Sequence, residues 1–211
     1  MQAQKESLIR YWRTSGIVKD ENVLDAFRKV PRENFVPLEM KKHAYDDDAL
    51  PLFEGQTISQ PTTVMIMTQA LEVKKGMKVL EVGSGSGYQA ALLSKLAGPE
   101  GFVVTTEILP SLVTFAKANL KNYKNVIVVK ADGFLGYEKE ALYDRVIVTA
   151  AATDISTELQ NQLKIGGIIV APLGSRHVQQ LIKMKKTKQG FVKEYLGNFS
   201  FVPLLGKYGS G

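Results

Sequence analysis

Gly83, Gly85 and Gly87 stand at two-residue spacing between two apolar runs, Val79-Leu80-Glu81-Val82 before and Tyr88-Gln89-Ala90-Ala91-Leu92-Leu93 after. The pattern predicts strand, tight turn and helix. Glycines let such a turn pass close to a ligand, and a helix start offers unpaired N–H groups. Glu107 lies twenty residues beyond Gly87, at the end of a second apolar run, Phe102-Val103-Val104-Thr105-Thr106. An acid at that place in a βαβ unit accepts ribose hydroxyls. The chemistry these residues suit is the binding of a nucleoside-bearing cofactor. A plain glycine-rich turn is the simpler alternative.

Spacing decides which cofactor fits. The dinucleotide fingerprint G-x-G-x-x-G needs glycine at position 88, where Tyr88 stands. A dinucleotide also needs a helix N-terminus facing its pyrophosphate. S-adenosylmethionine has no phosphate but carries a ribose, an adenine and a charged amino-acid end. Glu81 and Glu107 offer negative partners to a cation and a ribose. Asp132 follows the apolar run 126–130 and precedes Gly133. It can accept the adenine amino group, with Gly133 leaving room for the ring; an ordinary Asp-Gly turn is the alternative. Ahead of all these stands Gly55-Gln56-Thr57-Ile58-Ser59-Gln60-Pro61, hydroxyl-bearing residues before a helix with Pro61 in its first turn. Hydroxyls at a helix start can meet an anionic substrate. N-capping by Ser59 or Gln60 explains them equally well.

The elements that must position these residues follow from periodicity. Helices are expected over 3–14, with Leu8, Ile9 and Trp12 on one face, and over Glu21–Lys29, capped by Asp20 and closed by Pro31. A third runs from Pro61 to about Leu71. From Lys78 the pattern alternates: strand 78–82, helix 88–97, strand 102–106, helix 110–122 and strand 126–130, then strand 144–149, helix 155–163 and strand 167–171. This predicts a mostly parallel twisted sheet with helices on both faces. Val178–Met184 and Phe191–Val202, joined by Lys185–Gly190, read as an antiparallel hairpin at the sheet's edge. One domain is expected, with an N-terminal helical elaboration and substrate lid over 1–75, a cofactor-binding core over 76–175 and the hairpin over 176–211. Ligands bind at the carboxyl ends of such strands. That brings Gly83–Gly87, Glu107, Asp132 and Thr149-Ala150-Ala151-Ala152 to one edge.

Composition excludes several classes. With 211 residues, 45% hydrophobic and 23% charged, the chain matches a soluble globular protein with a sizeable core. The lack of cysteine excludes disulfides and thiolate chemistry. His43 and His177 are isolated, and no metal site is expected. Asp46-Asp47-Asp48 lacks the ligand alternation of a calcium loop and reads as a solvated turn. No signal peptide and no membrane-spanning run is present, so a cytoplasmic protein off the membrane is expected. The formal charge of +6 and pI near 9.3 suit acidic partners. The denser basic stretch, Lys183, Lys185, Lys186, Lys188 and Lys193, has no interleaved aromatic platform and reads as the solvated face and turn of the hairpin. No nucleic-acid partner is expected, and a monomer is favoured.

From about Val30 to Leu204 the chain resembles the class I S-adenosylmethionine-dependent methyltransferases, and more closely the protein-L-isoaspartate O-methyltransferase family. The resemblance is carried by Val30–Pro37, Ala44–Leu52, Gly55–Pro61, Val79–Tyr88, Ala131-Asp132-Gly133 and Tyr143–Ala152. Leu163–Gly167, Val170–Gly174 and Phe201-Val202-Pro203-Leu204 extend it. The polar Thr105-Thr106-Glu107 and an end soon after Leu205 are minor departures. The resemblance implies a Rossmann-like fold. It also implies methyl transfer from S-adenosyl-L-methionine to the side-branch carboxylate of L-isoaspartyl residues in damaged proteins and peptides. The ester then closes spontaneously to a succinimide, which can reopen to aspartate. It implies Ser59 as the active-site residue and Thr57, Ser59, Ala150, Val202 and Pro203 around the substrate. Gln56, Thr57, Glu81, Gly83, Ser84, Gly85, Glu107, Asp132 and Gly133 are implied around the cofactor.

The chemistry agrees. A carboxylate with a pKa near ~4 is already ionised at neutral pH, so its methylation needs alignment and desolvation but no general base. The sequence offers no Ser-His-Asp set, and Ser59 reads as a donor that orients the acceptor. Thr149-Ala150-Ala151-Ala152 replaces the Asn/Asp-Pro-Pro-Tyr of many amino-group methyltransferases. A methyltransferase of RNA or a small molecule is one alternative, since fold does not fix function. A non-catalytic peptide-binding protein is another. A nicotinamide oxidoreductase founders on Tyr88.

Overall fold

The computed structural model describes residues 1–175 and 178–206. Helix α1 (Gln2–Ser15) buries Ile9 and Trp12 and stops where Gly16 turns left-handed at φ 72°. Helix α2 (Glu21–Lys29) starts at Asp20, whose side chain accepts from the Asn22 N–H at 2.8 Å, and ends before Pro31. Two 3-10 turns, Arg32–Asn34 and Leu38–His43, lead to a small hairpin of β1 (Leu50–Pro51) and β2 (Thr57–Ile58). Helix α3 (Pro61–Leu71) follows directly.

The main sheet alternates with helices, as the periodicity predicts. It runs through β3 (Lys78–Val82), α4 (Tyr88–Ala97), β4 (Phe102–Glu107), α5 (Pro110–Leu120), β5 (Val126–Lys130), β6 (Tyr143–Val148), α6 (Thr157–Asn161) and β7 (Leu163–Gly174). Strands β8 (Gln179–Thr187) and β9 (Gly190–Phe199) complete it. The order is β5-β4-β3-β6-β7-β8-β9, parallel through β7 and antiparallel beyond. The parallel strands are apolar on both faces because both are covered. Val79, Val103, Ile147 and Val170 face α3, α4 and the N-terminal helices; Leu80, Val104, Val146 and Ile169 face the other side, where α6 lies.

Three boundaries differ from the sequence reading. Helix α6 has five residues, not nine, because Ser156 caps it and Gln162 is held by Tyr137 and Leu135. Strand β7 is longer at both ends because its first residue, Leu163, pairs with Tyr143 of β6 and its pairing with β8 extends to Gly174. The final hairpin turns at Lys188-Gln189, so most of the basic stretch lies on strand β8. There Lys183 meets Glu72 and Glu194, and Lys186 donates to the carbonyls of Gln160 and Leu163. His177 lies outside the described residues. Among the described residues no helix is long and apolar enough to cross a membrane.

Candidate active site

A cleft opens at the carboxyl ends of β3, β4 and β6. The glycine turn forms its floor and residues 56–59 its roof. A second chamber adjoins it, walled by Ile108, Leu109, Ala131, Gly133 and residues 203–205. Gln56, Gly83, Glu107 and Ala150 border both. Thr57, Ser59, Glu81, Ser84, Gly85 and Val202 line the first chamber, and Gly133 and Pro203 the second. Asp132 stands between Ala131 and Gly133, which wall the second chamber. It accepts from the Phe134 N–H at 3.0 Å, and Gly206 packs so close that a Cβ there would lie 2.5 Å from Oδ1.

The polar end of β4 builds the turn. The Gly83 and Ser84 N–H groups donate to the Thr106 carbonyl, both at 2.9 Å, and the Ser84 and Thr105 hydroxyls meet at 2.6 Å. Glu107 accepts the Gly85 N–H on Oε2 at 2.9 Å. Its Oε1 takes the N–H groups of Ile108 and Leu109 at 2.9 and 3.1 Å. A carboxylate offers about four acceptor sites, so Glu107 retains roughly one for a ligand hydroxyl while these bonds stand. The departure seen in Thr105-Thr106-Glu107 is therefore the scaffold of the turn.

Two glycines separate ligand space from packing space. A Cβ on Gly85 would touch only Leu52, at 3.8 Å, so its surroundings are open. A Cβ on Gly133 would lie 2.4 Å from Val82 and 2.7 Å from Thr106. The small residue there lets the 3-10 turn Gly133–Leu135 sit on β3 and β4.

Glu81 is fully buried, and neither carboxylate oxygen has a hydrogen-bond partner among the described residues. Burial pushes its pKa up to about 8; the Thr105 hydroxyl opposes this and Glu107 adds to it. Thr105 makes its hydrogen bond with Ser84 instead. An orphaned buried carboxylate on the wall of a cleft is a strong demand for a donor or cation. That demand, with the open face of Gly85, fits the charged amino-acid end of S-adenosylmethionine.

Ser59 sits between β2 and α3. Its carbonyl accepts from Arg32 Nη2 at 2.8 Å, while its hydroxyl has no hydrogen-bond partner among the described residues. Gln60 occupies the cap position without making a cap bond. The start of α3 is held from outside: Asp47 accepts from the Thr62 N–H at 2.9 Å and the Thr62 hydroxyl at 2.6 Å, and Trp12 Nε1 donates to that hydroxyl at 2.7 Å. Asp47 is thus a brace, which corrects the reading of Asp46–Asp48 as a solvated turn. Behind the cleft, the Ala151 N–H donates to the Val202 carbonyl and the Leu204 N–H to the Ala151 carbonyl, both at 2.8 Å. The hairpin roof is latched to α5 by Phe53 against Phe115, centroids 5.2 Å apart, and by Ser111 on Glu54.

Sequence reasoning missed several wall residues. Tyr88, Leu112 and Met67 line the cleft but carry only an apolar helix signal. Thr149 donates to the Gly83 carbonyl at 2.7 Å, and its strand-end position was the available clue.

Comparison with known proteins agrees with this geometry. A family model described as protein-L-isoaspartate(D-aspartate) O-methyltransferase matches residues 3–209. A protein-L-isoaspartate O-methyltransferase of Ignicoccus hospitalis is 47% identical over 208 residues, covering 97% of this chain and 99% of its own. One of Methanopyrus kandleri is 44% identical over 209 residues, with 97% and 92% covered. A solved protein-L-isoaspartate O-methyltransferase superposes with a TM-score of 0.86 at 30% identity, covering 97% of this chain and 67% of that one. A Plasmodium falciparum protein assigned to the same activity, solved with S-adenosyl-L-homocysteine, gives 0.82 at 26% identity, with 94% and 97% covered. With a family model matching residues 3–209 and relatives 44–47% identical over nearly the whole chain, this chain belongs to the protein-L-isoaspartate(D-aspartate) O-methyltransferase family.

Proposed function

We propose that this chain methylates the side-branch carboxylate of L-isoaspartyl residues in damaged proteins and peptides, with Ser59 orienting the acceptor. One observation carries the assignment of Ser59: an unpartnered hydroxyl shares one cleft with the glycine turn and the orphaned Glu81 carboxylate. Bound S-adenosyl-L-methionine supplies an electrophilic methyl group on a sulfonium. Glu81, ionised, receives the cationic amino-acid end, and Gly83, Ser84 and Gly85 border that end. Glu107 accepts a ribose hydroxyl. Gln56, Asp132 and Gly133 flank the base, and the apolar walls of the second chamber enclose it. Thr57 and Ser59 donate to the acceptor carboxylate. That carboxylate is ionised at neutral pH, so the site must align and dry it, and no residue has to take a proton. Ala150 leaves space for a peptide backbone beside Val202 and Pro203.

The proposal includes a monomeric cytoplasmic enzyme whose substrates are proteins and peptides, not nucleic acids. In support, Lys183 and Lys186 of the basic stretch are engaged within the fold. The test uses labelled S-adenosylmethionine with paired isoaspartyl and aspartyl peptides. Base-labile label on the isoaspartyl peptide alone is expected. Equal labelling of both, or label only on an added RNA, would refute the assignment.

A further inference from the structure

Arg32 has no part in the reaction as described, yet its placement is unusual. It stands on the 3-10 turn Arg32–Asn34 and is wholly buried. Nε donates to the Ala44 carbonyl and Nη2 to the Ser59 carbonyl, both at 2.8 Å. The guanidinium carbon lies 5.1 Å from the ring centroid of Tyr88, the first residue of α4 after the glycine turn. Nη1 is buried without a hydrogen-bond partner among the described residues. Asp47, whose charge bears on Arg32, has both oxygens on Thr62. Burial lowers the Arg32 pKa to about 10, so the group keeps its charge at neutral pH.

A buried cation held only by carbonyls and a ring is costly, and well-packed apolar residues in such places are often at least as stable. What an apolar side chain cannot do is tie two backbone segments through one planar donor group. The geometry points to Arg32 as a positioning residue for methyl transfer: it fixes the Ser59 peptide against Ala44 and Tyr88, and thereby sets where the Ser59 hydroxyl stands above the glycine turn. The inference rests on the reading of Ser59 given above.

The test is a mutant cycle in the full chain. Arg32→Lys keeps a cation but loses the planar fork. Displacement of Ser59 by even about 1 Å should lower kcat on an isoaspartyl peptide by about 10- to 100-fold. The Kd for S-adenosylhomocysteine should stay within about twofold of wild type. In a Ser59→Ala background the same Arg32→Lys change should alter kcat by less than about twofold, because no hydroxyl remains to be positioned. Losses that multiply, or an Arg32→Lys enzyme with wild-type kcat, would overturn the proposal. So would failure of both Arg32→Lys and Arg32→Gln to give the wild-type far-ultraviolet circular dichroism spectrum, which would make Arg32 a stability residue. A wild-type enzyme inert toward isoaspartyl peptide is a different outcome; it defeats the function assignment itself.

Discussion

Glu81 ties the stability of the fold to pH. Its pKa in the folded chain, about 8, exceeds the ordinary 4.5, so the fold binds this proton more tightly than the unfolded chain does. The resulting stabilisation is fully present below about pH 4.5 and is lost as pH rises through about 8. The melting temperature of the ligand-free protein should therefore fall over that window, and Glu81→Gln should flatten the slope and melt higher than wild type at about pH 8. The same substitution removes a charged acceptor worth roughly 1.5–3 kcal/mol, so cofactor affinity should drop about 10- to 100-fold in a calorimetric titration. That Glu81, Gly85 and Glu107 border one cleft was legible from their spacing about the glycine turn and the end of β4. Arg32 was not. Its partners are backbone carbonyls twelve and twenty-seven residues away, and carbonyls leave no mark on a sequence. Glu107 was half legible: its place was evident, but not that it already binds three N–H groups.

Elements with local stop and start signals were read closely. Asp20, Pro31 and Pro61 set α2 and α3, and the glycine turn set the end of β3 and the start of α4. The short α6 and long β7 were not, because their bounds come from Gln162 and from pairing with β8, contacts that exist only after folding. The turn at Gly133 gives a test at this scale. Gly133→Ala would drive a methyl group into Val82 and Thr106. Overpacking of this kind costs about 1–3 kcal/mol. A chemical denaturation midpoint should fall accordingly in the ligand-free protein, before any ligand is considered. An unchanged midpoint would return Gly133 to the role of mere room for a ring.

At the scale of the molecule, the N-terminal segment and the sheet share one core. Ile9, Trp12, Leu24, Phe27, Phe35 and Leu71 are all buried in the cluster that contains Val79, Val103 and Ile147. At about 2 kcal/mol per buried side chain these six contribute on the order of 10 kcal/mol, comparable to the net stability of a whole domain. Residues 1–75 should therefore not come away independently. Trp12 is the single tryptophan, so its fluorescence reports on that segment. Its unfolding curve should coincide with the far-ultraviolet circular dichroism of the whole chain; an earlier Trp12 transition would make the segment a separate unit. The overall sheet was legible from alternation, whereas the sharing of the core was not, since periodicity shows that a face is apolar but not what covers it. The same wholeness bears on the latch between the 50–58 hairpin and α5. Phe53 on Phe115 and Glu54 on Ser111 hold the roof to α5, and the prediction is that this latch opens before anything seated on the glycine turn leaves. The expected outcome is that exit, and not bond-making, sets the pace once substrate is plentiful. Rapid mixing should reveal a first, fast round of ester formation equal in amount to the enzyme, followed by a slower steady rate, and Phe53→Ala should quicken the second phase while leaving the first alone.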